Sequence, residues 1–143
     1  MQEKRVNPNY ILLSFIVSLS ATLGSLFFSE IMQFVPCSMC WYQRIFMYPL
    51  VFIFLINLLY PDDKIFKYTF IIILVGLLFS IYHNLLMFGI ISEDMVPCVQ
   101  GVPCSTTYLD WFGFITIPLL SFVAYFSLFI LQLLIYKNLK EKQ

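Results

Sequence analysis

Four cysteines, Cys37, Cys40, Cys98 and Cys104, are the only soft reactive groups in this 143-residue chain, and they fall into two pairs. The first pair lies in PCSMCWYQR, residues 36–44, where two aromatics and then Arg44 follow it. A C-x-x-C pair followed by helix is the arrangement in which a thiolate is easily stabilised. Unpaired N–H groups at a helix start and a nearby positive charge both lower a thiol pKa. Arg44 is four residues beyond Cys40, so one helical turn stacks its guanidinium beneath that sulfur. The arginine can then stabilise a thiolate, or anything anionic that the thiolate makes. Closing so short a loop removes little chain entropy, so the pair makes a poor staple and its spacing favours redox chemistry.

The second pair reads PCVQGVPC, with five residues between Cys98 and Cys104 and Gly101 near the middle. A small disulfide loop is feasible there, and on spacing alone a structural bridge is as good a reading as a redox role. Three of the four cysteines follow a proline, namely Pro36, Pro97 and Pro103, which stiffens the segment and holds each sulfur in a defined direction. The C-x2-C half would suit zinc, but the C-x5-C half is wider than the usual spacing and nothing suggests a closed knuckle, so no metal is expected.

The elements that must hold these sulfurs are membrane helices. The chain is 61% hydrophobic and 11% charged, too few polar residues to cover a soluble domain of this size. Zero net charge, with no basic stripe and no Gly-rich phosphate loop, argues against nucleic acid. Four apolar runs, near Tyr10–Ile31, Tyr42–Leu59, Phe66–Phe88 and Phe112–Tyr136, are each long enough to cross about 30 Å of hydrocarbon. They are apolar on all faces, which fits helices and not a barrel. The first run follows Lys4 and Arg5 as a signal peptide would. It is too long for such a segment and lacks a small-x-small site, so it reads as an uncleaved span.

One membrane domain over residues 1–143 follows, an all-α four-helix bundle. Seven of the eight Lys and Arg residues precede span one, join spans two and three, or follow span four, Arg44 being the exception. That places both termini in the cytoplasm. The remaining loops, about 32–41 and 89–111, then face outward, each with two cysteines, on the side of a cell membrane where disulfides persist. Ala21, Gly24 and Ser25 on span one, and Gly76 and Ser80 on span three, permit close backbone approach. Pro49 and Pro118, about a third of the way into spans two and four, are positioned to kink them, although membrane helices also tolerate proline without purpose.

Disulfides outside a membrane relay electrons only if something removes them. With no haem, flavin or iron–sulfur signature, the remaining acceptor is a lipid-soluble quinone. Ionisable residues inside spans are functional candidates, and two qualify, Arg44 and His83. Each lies roughly 5–8 Å below the outer surface, so they can share a pocket. Arg44 would stabilise a developing quinone oxyanion, and His83 would supply a proton or a hydrogen bond. The plainer readings are that Arg44 snorkels to the interface and that His83 packs with Asn84 against a neighbouring helix.

PCSMCWYQRIFMYPL followed by PCVQGVPCSTTYLDWFGFITIPLLS resembles the DsbB family of disulfide-bond formation proteins, in the short form called BdbC. The resemblance covers four spans, both outer cysteine pairs and the arginine four residues after Cys40. It implies that a reduced thioredoxin-like oxidase, DsbA- or BdbD-like, attacks Cys98 of a Cys98–Cys104 disulfide. Cys104 then attacks Cys37 and breaks a Cys37–Cys40 bond. Cys40, a thiolate beside Arg44, passes electrons to a bound ubiquinone or menaquinone. The long members separate the second pair by a much longer loop than the five residues here. Vitamin K epoxide reductases also combine four helices with C-x-x-C, but late in the chain, whereas here the motif opens span two. A non-catalytic membrane protein with structural disulfides is the reading from another class.

Overall fold

The computed structural model describes residues 6–62, 64–91 and 116–141. Among these residues the chain is helical throughout its regular structure. The elements are α1 (Pro8–Leu26), prolonged by a π-helical turn (Phe27–Ile31), α2 (Ser38–Leu59), α3 (Ile65–Met87) and α4 (Ile117–Glu141). The four are long and apolar enough to cross a membrane, so the all-α architecture and the four spanning helices stand as expected. Short links at 32–37 and 60–64 make α1, α2 and α3 antiparallel neighbours, and α4 packs on both α3 and α1 to close the ring.

The bundle is built with its polar groups inside. Leu12, Leu23, Phe52, Leu59 and Ile71 are exposed on the rim, whereas Ser14, Ser18, Thr69, Ser80 and Gln132 are buried. In lipid the rim needs no cover, and helices associate through close packing and hydrogen bonds. Gln132 of α4 accordingly donates to Thr69 Oγ1 of α3 at 2.8 Å, and the Ser14 hydroxyl returns to the Tyr10 carbonyl at 2.9 Å.

Three contacts fix the end of the bundle that carries the first cysteine pair. Phe79 of α3 stacks against both Tyr42 and Phe46 of α2, with ring centroids 5.6 and 5.7 Å away. Asn84 of α3 donates to the Pro118 carbonyl of α4 at 3.0 Å. Gly76 lets the Tyr125 ring of α4 lie directly on the α3 backbone, in the space a Cβ would occupy. Gly76 thus permits the close approach expected of it. Gly24 does not serve that purpose, since a Cβ there would meet nothing within 4 Å.

Three boundaries differ from the sequence reading, one of them the end of α4, which runs on from Tyr136 to Glu141. Helix α2 begins at Ser38, not near Tyr42, because Cys37 itself caps it. Helix α4 begins at Ile117, so Pro118 stands in the first turn, where a missing N–H costs no helical bond, and not a third of the way along. Pro49 lies inside α2, where its ring removes the bond to the Ile45 carbonyl. Cys98, Cys104 and most of the expected 89–111 loop lie outside the described residues, as do Lys4 and Arg5.

Candidate redox site

Cys37 is the N-cap of α2. Its backbone is extended, and its sulfur accepts from the Cys40 amide at 3.4 Å, one of the donors that a helix start leaves unpaired. Cys40 follows in the first turn, and its sulfur lies 2.8 Å from that of Cys37. The pair therefore sits where the positive end of α2 meets the bundle, as expected of a stabilised thiolate. Hydrogen bonding from the Cys40 thiol holds the Cys37 thiol well below the ordinary range. Burial opposes this, and contact with His83 reinforces it.

His83 is buried, at 1% exposure, four residues before the end of α3. Its Nε2 faces the Cys37 sulfur at 3.8 Å and its Nδ1 faces the side-chain nitrogen of Gln43 at 3.2 Å. The other end of that amide is held too, because Ser121 of α4 donates to Gln43 Oε1 at 2.7 Å. Tyr125, four residues further on, donates to the Gln43 backbone carbonyl at 2.6 Å. A continuous polar chain thus runs from α4 through α2 to α3 and ends on the cysteine pair. Asn84, the next residue, donates across the interface to the Pro118 carbonyl of α4.

Arg44 lies one turn beyond Cys40, but its hydrogen bond goes elsewhere. Nη2 donates to the Ser25 carbonyl of α1 at 3.0 Å, and the guanidinium lies 5.7 Å from the centre of the Trp41 ring. Cys37, Cys40, Arg44 and His83 all border one cavity of about 480 Å³ between α1, α2 and α4. The small residues of α1, Ala21, Gly24 and Ser25, line its far wall. Of these, Gly24 leaves open space, whereas Ala21 packs against the core and the Ser25 carbonyl takes the Arg44 bond from α2. Two sulfurs and an imidazole nitrogen fall within 4.8 Å of one another, a donor set that a soft ion also accepts.

Gln43, Ser121 and Tyr125 carry no charge that would mark them inside a span, yet a glutamine in lipid also needs partners. Gln43 stands three residues after Cys40, which puts it on the same helical face.

A bundle of four helices long and apolar enough to span a membrane, with a cysteine pair at a helix start beside a cavity, is the build of a membrane thiol–disulfide protein. The comparisons agree. Residues 7–135 match the family described as "Disulfide bond formation protein DsbB", and the chain belongs to that family. It is 45% identical over 126 residues to "Disulfide bond formation protein C" of Bacillus subtilis, covering 88% of this chain and 91% of that one. It is 44% identical over 130 residues to "Probable disulfide formation protein C" of Halalkalibacterium halodurans, covering 91% and 95%. A "Probable disulfide formation protein" of Oceanobacillus iheyensis is 41% identical over 135 residues, covering 94% and 93%. No solved structure matches. The chain is a multi-pass membrane protein of disulfide bond formation, a disulfide oxidoreductase by family.

Proposed function

We propose that the protein reoxidises an extracytoplasmic thioredoxin-like dithiol oxidase and passes the electrons through its two cysteine pairs to a membrane quinone, a menaquinone or a ubiquinone. One observation carries this reading: the Cys37–Cys40 sulfurs, 2.8 Å apart, share a cavity wall with Arg44. About 480 Å³ is within the range of small-molecule sites, and the lining is mainly apolar. Gly24 keeps the wall opposite open, and Arg44 supplies the charged donor that an anionic ring oxygen needs. These residues fit a quinone. When bound, it supplies an acceptor for two electrons and two protons.

The residues of the chain then act as follows. The partner's thiolate attacks Cys98 and forms a mixed disulfide, and Cys104 leaves as a thiolate. Cys104 attacks the Cys37 sulfur; a Cys104–Cys37 bond forms, the Cys37–Cys40 bond breaks and Cys40 leaves with the electron pair. Arg44, anchored on Ser25, faces the negative charge that develops in the cavity. The partner's second thiolate displaces Cys98 and the partner departs as a disulfide. Cys98 then displaces Cys37 from Cys104, which re-forms the Cys98–Cys104 bond and leaves the Cys37–Cys40 dithiol holding the electron pair for the acceptor. Net, the partner loses two electrons and two protons. The basic residues at both termini and in the α2–α3 link support cytoplasmic termini, with the cysteine pairs on the opposite side of the cell membrane.

The test uses the purified chain in detergent with a reduced thioredoxin-like partner and a water-soluble ubiquinone or menaquinone analogue. Quinone absorbance should fall as the partner is oxidised, and Cys40→Ser should abolish this. Normal turnover in Cys40→Ser would exclude the mechanism. Labelling of intact cells with an impermeant maleimide should reach the thiols from outside; modification only from the cytosol would overturn the orientation.

A further inference from the structure

The polar chain behind the cysteines is more than packing. We propose that Gln43, held by Ser121, is a positioning residue that fixes the tautomer of His83 and so aims the Nε2 hydrogen at the Cys37 sulfur. This rests on the reading of Cys37–Cys40 as the redox pair and deepens it.

The hydrogen-bond inventory gives the logic. A glutamine amide has one accepting end and one donating end. The Ser121 hydroxyl occupies Oε1 at 2.7 Å, which leaves the NH₂ end facing His83 Nδ1 at 3.2 Å. An imidazole that accepts at Nδ1 carries its hydrogen on Nε2. Nε2 is the atom that faces Cys37, at 3.8 Å. Were the amide reversed, His83 would present a lone pair to that sulfur and would favour the thiol over the thiolate.

The geometry gives Cys37 three donors when it is ionised: the Cys40 thiol, the Cys40 amide and the His83 ring. Arg44 on α2, Tyr48 on α2 and Tyr125 on α4 border the same cavity, and no carboxylate among the described residues does. A stabilised Cys37 thiolate matters twice in disulfide exchange. It leaves readily when a bond to Cys37 is cleaved, and it is present to attack when the Cys37–Cys40 bond must re-form.

Gln43 can be changed without dismantling the helix contact beside it. The bond that ties α4 to this point of α2 runs from Tyr125 to the Gln43 backbone carbonyl, which every substitution retains. Ser121→Ala is gentler still. It removes the group that orients the amide and touches neither Cys37 nor His83.

The experiment measures Cys37 alone. The full chain carrying Cys98→Ser and Cys104→Ser is reduced in detergent and treated with iodoacetamide across a pH series, with peptide mass analysis assigning the label. The thiolate displaces iodide, so the rate follows the ionised fraction. The reference chain should label at Cys37 with a midpoint below the ordinary thiol value of about 8.5. Gln43→Leu should raise that midpoint and slow labelling at low pH by about tenfold per unit of rise. Ser121→Ala should shift it in the same direction by less. A midpoint unchanged in both Gln43→Leu and Ser121→Ala overturns the assignment. If Gln43→Leu does not fold, Ser121→Ala decides alone. Labelling needs neither quinone nor partner, so its outcome is separate from the turnover test above.

Discussion

Arg44 reaches across the bundle to the Ser25 carbonyl, 3.0 Å away, just before α1 passes into its π-helical turn. A residue that the C-x-x-C spacing assigns to a sulfur is thereby tied to a neighbouring helix. The bond sets where the guanidinium stands in the cavity wall, and a cation–π contact with the Trp41 ring, 5.7 Å to its centre, adds to it. Lysine reproduces neither feature, because it is a compact charge on a flexible stem.

Arg44→Lys should therefore raise the KM for a soluble quinone more than it lowers kcat. A charged hydrogen bond is worth about 1.5–3 kcal/mol, so the loss in kcat/KM should be about tenfold or more. Steady-state kinetics with varied quinone at saturating reduced partner would show it. An unchanged KM would remove Arg44 from the quinone wall.

At Gly76 the Tyr125 ring of α4 lies against the α3 backbone, and the Tyr125 hydroxyl in turn holds the Gln43 backbone. Gly76→Ala forces the ring to move and should cost about 1–3 kcal/mol. Tyr125→Phe keeps the ring and loses one buried hydrogen bond, about 1 kcal/mol. Thermal unfolding in one detergent should rank them in that order below the unsubstituted chain. Gly76→Ala should also slow turnover, because a displaced Tyr125 drags on α2 beside the cysteines.

How much of this was legible beforehand follows from the kind of signal each part leaves. Apolar runs of spanning length made the four helices plain, since lipid demands them of any sequence. Cys37, Cys40, Arg44 and His83 were visible because sulfur and charge are rare and costly in a membrane. The start of α2 was misplaced by reading Met32–Trp41 as loop. Cysteine is not a usual cap, and hydropathy gives no sign that its sulfur accepts from the Cys40 amide. Nor could spacing within α2 reveal that Arg44 bonds to α1 or that His83 faces Cys37. Both are contacts between helices, fixed by rotations that sequence period leaves open. Gln43 and Ser121 were hidden for the same reason.

Asn84 separates structural from chemical roles at this end of the bundle. It donates to the Ser80 carbonyl on its own helix at 2.9 Å and to the Pro118 carbonyl across the interface at 3.0 Å. Asn84→Leu should lower stability by about 1 kcal/mol in thermal unfolding. The pH profile of Cys37 labelling should stay where it is, although His83 is the next residue. A shift as large as that of His83→Ala would mean that the profile reports general loosening and not the imidazole.

The lowered Cys37 thiol predicts how the Cys37–Cys40 potential responds to pH. The Cys40 thiol and the other donors around Cys37 favour its ionised form. Above the lowered Cys37 value, reduction of the disulfide by two electrons takes up one proton, not two. The potential should then fall by about 30 mV per pH unit, against about 60 mV where both protons are taken up. The sign follows: ionisation stabilises the reduced pair, so the disulfide is the stronger oxidant throughout the range where Cys37 is a thiolate. That advantage disappears as the pH drops through the lowered value. Equilibration of the Cys98→Ser, Cys104→Ser chain with thiol–disulfide buffers from pH 5 to 8 would measure the slope. His83→Ala should move the break between the two slopes to higher pH, and a slope near 60 mV over the whole range would show that Cys37 keeps its proton in the reduced pair.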